Sequence, residues 1–182
     1  AYCPFGIEKG LCSTFMSLWH YELATPLGPM WAAFDERGRL RQLAFGGLDP
    51  RATAPLAPKA QREAFRYLLR QLDAYFAAKL RTFTVPLAPM GTEFQQRVWE
   101  EVGAIPYGAV RTYGEMARNL AVPDAVAAVE EAVRANPIAL LIPGHRVVGP
   151  GGALLGDASD LERQQALLRL EGAWPVPLAS ER

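Results

Sequence analysis

Residues 113–137 read YGEMARNLAVPDAVAAVEEAVRANP, and this stretch decides the architecture of the second half of the chain. Its apolar residues fall into two short blocks at helical spacing, which predicts one helix from Tyr113 to Leu120 and another from Asp124 to Ala135. Pro123 opens the second helix, where the first N–H groups have no partner to lose, and Asn136-Pro137 closes it. Two helices joined by so tight a turn form a candidate helix-turn-helix. Such pairs are common, so the pairing alone says little about a nucleic-acid partner.

Working outward, Thr92 is placed to cap a helix in which Phe94, Val98, Trp99 and Val102 share a face before Gly103 and Pro106 stop it. Pro86, Pro89 and Gly91 break the chain ahead of it and mark a boundary between two small domains, residues 16–88 and 89–175. In the first, Leu18 to Leu23 and Met30 to Phe34 read as a hairpin around Thr25-Pro26-Leu27-Gly28-Pro29. A turn over Asp35 to Gly38 leads to a third strand, Leu40 to Phe45, and Asp49 to Pro58 reads as a loop. Ala64, Phe65, Leu68, Leu69, Leu72, Tyr75 and Phe76 lie on one face of a helix expected from Lys59 to Ala78, and Phe83 to Leu87 is expected as a short strand. In the second domain an apolar run, Ile138 to Ile142, precedes a polar, tightly turned Pro143-Gly144-His145-Arg146, and a final helix is expected from Leu161 to Glu171. The fold class is therefore α+β: a small N-terminal domain with an antiparallel sheet and a helix, then a mainly helical C-terminal domain with a helix-turn-helix. Residues 1–15 read as a tag or extension and 176–182 as a tail.

Half of the 182 residues are hydrophobic, enough to bury a core. No apolar run reaches the roughly 18 to 20 residues that cross a bilayer, so the expectation is a soluble, cytoplasmic protein, nucleoid-associated if it binds DNA, with no membrane partner. Net charge is zero, but the charge is uneven: 11 Lys or Arg against 7 Asp or Glu through residue 90, and 8 Arg against 12 acids after it. The whole-chain balance therefore gives no electrostatic hint of nucleic acid. Cys3 and Cys12, with His20 the only nearby histidine, are too few for a disulfide framework or a zinc site, and no metal or cofactor is expected.

The order Gly91-Thr92-Glu93-Phe94-Gln95, Val98-Trp99, Ile105-Pro106-Tyr107-Gly108, Thr112-Tyr113-Gly114-Glu115, Asn136-Pro137, Ile142-Pro143-Gly144-His145-Arg146-Val147-Val148 and Leu170-Glu171-Gly172 resembles the O6-alkylguanine-DNA alkyltransferases. The likeness covers nearly everything from Met16 to Gly172. It implies a protein that lays its helix-turn-helix in the minor groove and flips the damaged guanine into a pocket, because the reacting atom is inaccessible in the stack. In that family a cysteine takes the alkyl group, activated by a histidine that a glutamate orients. Here the resemblance makes His145 the base and Glu171 the orienter, and it puts Gly144 where the acceptor cysteine belongs.

Other positions depart from the family pattern. Ala127 stands where the resemblance places an arginine that fills the gap left by the flipped base. Glu130-Glu131 replaces a small pair, usually glycines, that lets the helix approach the groove, and Arg134 is the one base among three acids between Asp124 and Asn136. Carboxylates facing phosphates repel them. The family's pocket-shaping tyrosine and glycines correspond to Asp157, Ser159 and Asp160, with Gln164 in place of a lysine; Pro143, Asp157 and Ser159 are expected in the pocket wall. Tyr113 resembles the tyrosine that helps turn the nucleotide out, and Asn136 the residue that ties the recognition helix to the active loop. For Tyr113, Asn136 and His145 a purely structural role is the competing reading. Arg62, Arg66 and Arg70 read as a solvated helix face.

The expectation that follows is a catalytically silent homologue, not an enzyme, whose DNA binding is lost or strongly weakened. The alternatives are an alkyltransferase-like protein that binds O6-alkylguanine lesions and flags them to excision-repair proteins, and a protein-interaction module that reuses the fold.

Overall fold

The computed structural model describes residues 18–46 and 58–175. The extension at 1–15, the tail at 176–182, both cysteines and all of the Asp49 to Pro58 loop except Pro58 lie outside the described residues.

Three antiparallel strands, β1 (Trp19–Thr25), β2 (Gly28–Phe34) and β3 (Leu40–Phe45), form a meander in sequence order. The first hairpin is tighter than its five turn-forming residues imply: Thr25 pairs with Gly28, leaving Pro26 and Leu27 as the loop. Gly28 takes a φ of +112°, which only glycine adopts without strain, so β2 starts two residues before the expected Met30. Helix α1 (Lys59–Phe76) packs on this sheet through Leu68, Leu72 and Tyr75. Two glutamines are buried with them, each for a hydrogen bond. Gln61 donates to the carbonyls of Asp35 and Glu36 in the β2–β3 turn, and Gln71 holds Thr84 through both its amide oxygen and its nitrogen. A helical apolar pattern cannot reveal such residues.

Residues 83–87 do not form the expected strand. They run extended beside β3 and meet it at one bridge, Leu40 with Leu87, because Pro86 has no N–H to donate to a ladder. Farther along the same strand, Leu43 N donates to Pro137 O and Ala139 N to Leu43 O, both at 2.8 Å. The sheet edge is thus covered by two segments, and the second begins the loop that carries Gly144.

Thr92 caps α2 (Glu93–Gly103) through a reciprocal capping box with Gln95. Thr112 and Glu115 make the same box at α3 (Tyr113–Asn119), so the glutamate of the Thr-Tyr-Gly-Glu motif serves the backbone. Helix α4 (Val126–Arg134) starts two residues later than the expected Asp124, after an N-cap, Ala125, that offers no capping side chain. The Trp99 indole donates to Ala132 O at 2.8 Å and joins α2 to α4. Two short pieces, β4 (Arg111–Thr112) and β5 (Val147–Val148), pair in parallel. Helix α5 (Ala158–Leu170) begins three residues before the expected Leu161, because Asp157 accepts from Asp160 N and caps it. An antiparallel sheet with one helix, followed by a helical half with α3 and α4 as the helix-turn-helix, is the α+β arrangement expected.

Candidate functional site

Asn136 follows α4 and governs the loop after it. Its Nδ2 donates to Ile142 O at 2.8 Å and its Oδ1 accepts from Ile138 N at 3.0 Å, so one side chain holds both ends of residues 138–142. The chain then makes a 3-10 turn over Gly144–Arg146, which delivers His145 and Arg146 to Glu171 at the C-terminal cap of α5.

The Glu171 side chain is fully buried, and its donors come from three separate segments of the chain, around residues 75, 108 and 145–146. Oε1 accepts from the Tyr75 hydroxyl at 2.6 Å, Arg146 Nη2 at 2.8 Å and His145 Nε2 at 3.0 Å. Oε2 accepts from Arg146 Nε at 2.8 Å and from Gly108 N at 3.3 Å. Burial alone would raise the Glu171 carboxyl, but the hydrogen bonds from His145, Arg146 and Tyr75 hold it far below the usual carboxylate range. Burial lowers His145 below the ordinary imidazole range, and the pull of Glu171 does not cancel this because the Arg146 guanidinium already neutralises that carboxylate in a two-point pair. The neutral ring therefore donates from Nε2 to Glu171, leaving Nδ1 as its acceptor. Burial and then the hydrogen bond to Glu171 push the Tyr75 phenol far above its ordinary value.

Gly144 and His145 line a cavity of about 220 Å³, together with Tyr113 from α3, Val133 and Arg134 from α4, and Asn136. This is below the roughly 300 to 1,000 Å³ of drug-sized ligand pockets and suits a single ring system. Among the described residues, none that lines it carries a thiol. A Cβ built on Gly144 would meet Val133 Cγ1 at 3.5 Å and Asn136 Nδ2 at 3.7 Å, which is ordinary contact, so the backbone does not require glycine there.

The outer part of the cavity matches the expected wall at Asp160 and Gln164 and differs from it elsewhere. Leu155, Asp160, Arg163 and Gln164 line it, whereas Asp157 and Ser159 are committed to the start of α5, where Ser159 donates to Asp157 at 2.8 Å. Pro143 lines a second cavity on the other side of the active loop. Gln164 bonds the carbonyls of His145 and Val147 and so braces the turn. Phe45, at the end of β3, reaches the cavity with the Arg163 guanidinium 4.9 Å from its ring centre. Nothing in the periodicity of β3 marks Phe45, and Tyr75 reads as one more core aromatic. Arg146 carried a better signal, since it adjoins His145 in the same short motif.

On α4, Ala127 and Glu131 are exposed, and Glu130 pairs with Arg134 at 2.6 Å. Tyr113 is buried, and burial followed by the charge of Glu130 raises its phenol. Arg66 and Arg70 are exposed on α1 together with Arg62. Among the described residues no cluster of His, Cys, Asp or Glu is arranged to hold a metal ion, and no helix is long and apolar enough to cross a membrane.

Residues 93–173 match the family model described as 6-O-methylguanine DNA methyltransferase, DNA binding domain, and residues 18–89 match its ribonuclease-like domain. A methylated-DNA–protein-cysteine methyltransferase of Methanosarcina acetivorans is 46% identical over 149 residues, which cover 82% of this chain and 95% of the relative. The protein of the same name from Mycobacterium leprae is 49% identical over 108 residues, covering 59% of this chain and 66% of that one. Among solved structures, Mycobacterium tuberculosis OGT in complex with DNA superposes with a TM-score of 0.74 at 39% identity, over 85% of this chain and 92% of that chain. These relatives overturn the expectation that the chain falls outside the enzymes, because they are named as methyltransferases. That expectation weighed one residue, Gly144, above the likeness of the remaining chain.

Proposed function

Because the chain belongs to the 6-O-methylguanine DNA methyltransferase family, we propose that it recognises O6-alkylated guanine in DNA and takes the flipped base into the cavity beside Gly144 and His145. The observation that carries this reading is the cavity itself: ring-sized, bounded by both helices of the helix-turn-helix, and backed by the buried His145–Glu171 pair. Flipping costs a few kcal/mol, and a pocket that stacks and hydrogen-bonds the extruded base offsets it. Tyr113 and Asn136 line the cavity and supply an aromatic ring and an amide. We read Gly144 as the position of the family's acceptor cysteine, which leaves the O6 substituent facing a backbone without a side chain.

A second reading concerns grip. Around Ala127, the outer side of α4 carries two carboxylates, Glu130 and Glu131, and one cation, Arg134, that is already paired with Glu130, and this favours weak binding to undamaged DNA. Lesion recognition then depends on the pocket more than on the backbone contacts.

Titrating the chain with a duplex carrying one O6-methylguanine, beside the same duplex undamaged, tests both readings. Tighter retention of the lesion duplex supports pocket recognition, and equal affinity sinks it. Intact mass measured on the same samples reads whether a methyl group passes to the protein.

A further inference from the structure

A second cavity, of about 190 Å³, lies behind the active loop, between residues 81–87 and the turn that carries His145. Phe83, Leu141 and Pro143 give it apolar walls, Tyr107 supplies a ring, and among the described residues none that lines it is acidic. Two guanidiniums reach it. Arg81 is exposed, lies 5.6 Å from the centre of the Tyr107 ring, and has no carboxylate partner among the described residues. Arg146 is buried, its side chain 7% exposed, and lies 5.9 Å from the same ring centre.

Arg146 carries donors to spare. A guanidinium has five N–H groups, and among the described residues three of them find acceptors: Nε and Nη2 on Glu171, and Nη1 on Ile105 O. One N–H on Nη1 and one on Nη2 remain, on a buried group that lines the cavity. Each Arg146 nitrogen already has one partner, and an acceptor in the cavity would engage the N–H groups left over. The Arg146 charge is already balanced by Glu171, so the charge available to a ligand is that of Arg81.

We propose that this second cavity is a binding site for a small carboxylate on a flat apolar body, held between Arg81 and Arg146 with its body against Tyr107, Phe83 and Leu141. The carboxylate takes the spare Arg146 donors and the unpaired Arg81 charge, and the apolar walls exclude water from the body. This site is separate from the base cavity and does not depend on what that cavity binds.

Sodium benzoate is a suitable probe, with benzamide as its uncharged counterpart and acetate as a carboxylate without the body. In an amide NMR titration of the full chain, benzoate is expected to give saturating shifts confined to residues 81–87, 103–107 and 140–146. Benzamide and acetate should bind about tenfold more weakly, and so should benzoate to the variant Arg81→Gln, which changes an exposed side chain and spares the fold. No saturation with millimolar benzoate, an equal response to benzamide, or an unchanged affinity in Arg81→Gln overturns the proposal, leaving a cavity that holds only water.

Discussion

The Tyr75 hydroxyl donates to Glu171 Oε1 at 2.6 Å, although 96 residues separate them in the chain. Helix α1 of the N-terminal half thus supplies one of the donors that hold the carboxylate oriented toward His145. Replacing Tyr75 by Phe keeps the ring and removes that donor alone. The variant should lose about 1 to 3 kcal/mol in urea denaturation, and its His145 should titrate at higher pH because Glu171 then gives more of its charge to the imidazole. An unmoved His145 titration by NMR would mean that Tyr75 only packs.

Glu171→Gln leaves Arg146 buried without a counter-charge. Breaking one side of a buried pair costs about 3 to 5 kcal/mol, so Glu171→Gln should be the more damaging of the two substitutions. A loss below that of Tyr75→Phe in the same denaturant series would show that water reaches Arg146.

The pH dependence of stability has two windows. His145 has a folded pKa below 6.5, so as pH falls through that value the unfolded chain binds a proton that the folded chain refuses, and stability drops. Glu171 has a folded pKa below 4.5, so its contribution is present above that value and is lost as pH falls below it toward the folded pKa. Thermal melts should decline from pH 7 to 5 and then more steeply below pH 4.5. A His145→Gln variant should shrink the first window to the part that belongs to the partly buried His20 and keep the second. An undiminished first window in that variant assigns it to His20 or another group.

Glu130→Gln with Glu131→Gln should strengthen binding to any duplex at low salt. Two carboxylates are removed, and Arg134 is released from its 2.6 Å pair with Glu130. The gain should shrink as salt rises, since it comes from screened charge. If filter binding at low salt shows no gain, the outer side of α4 is not the DNA face.

Gly144→Cys should fold normally, because the added Cβ meets only ordinary contacts at 3.5 and 3.7 Å. The thiol would neighbour His145, whose Nδ1 can take its proton, so iodoacetamide alkylation at position 144, read by peptide mass apart from Cys3 and Cys12, should be about tenfold faster at neutral pH than for the same variant with His145→Gln. Equal rates would show that the imidazole does not reach the thiol.

Local chemistry determined much of this protein before any packing was known. The strand alternation, the apolar stripe of α1, the cap at Thr92 and the breaks at Pro123 and Asn136-Pro137 each act over a few residues, so the α+β order and the helix-turn-helix could be read from neighbours in the chain. The short motif around Gly144-His145 marked the site for the same reason. Tertiary structure alone decided what surrounds it. Glu171 gathers donors from residues 75, 108, 145 and 146, and Phe45 reaches the cavity from a strand about 100 residues before Gly144 in the chain, through contacts that no local period encodes. Asp157 and Ser159 show the converse. Asp157 accepts from Asp160 N in the first turn of α5, where free N–H groups compete for any nearby oxygen, Ser159 donates to that same carboxylate, and the cavity wall is left to Asp160, Arg163 and Gln164.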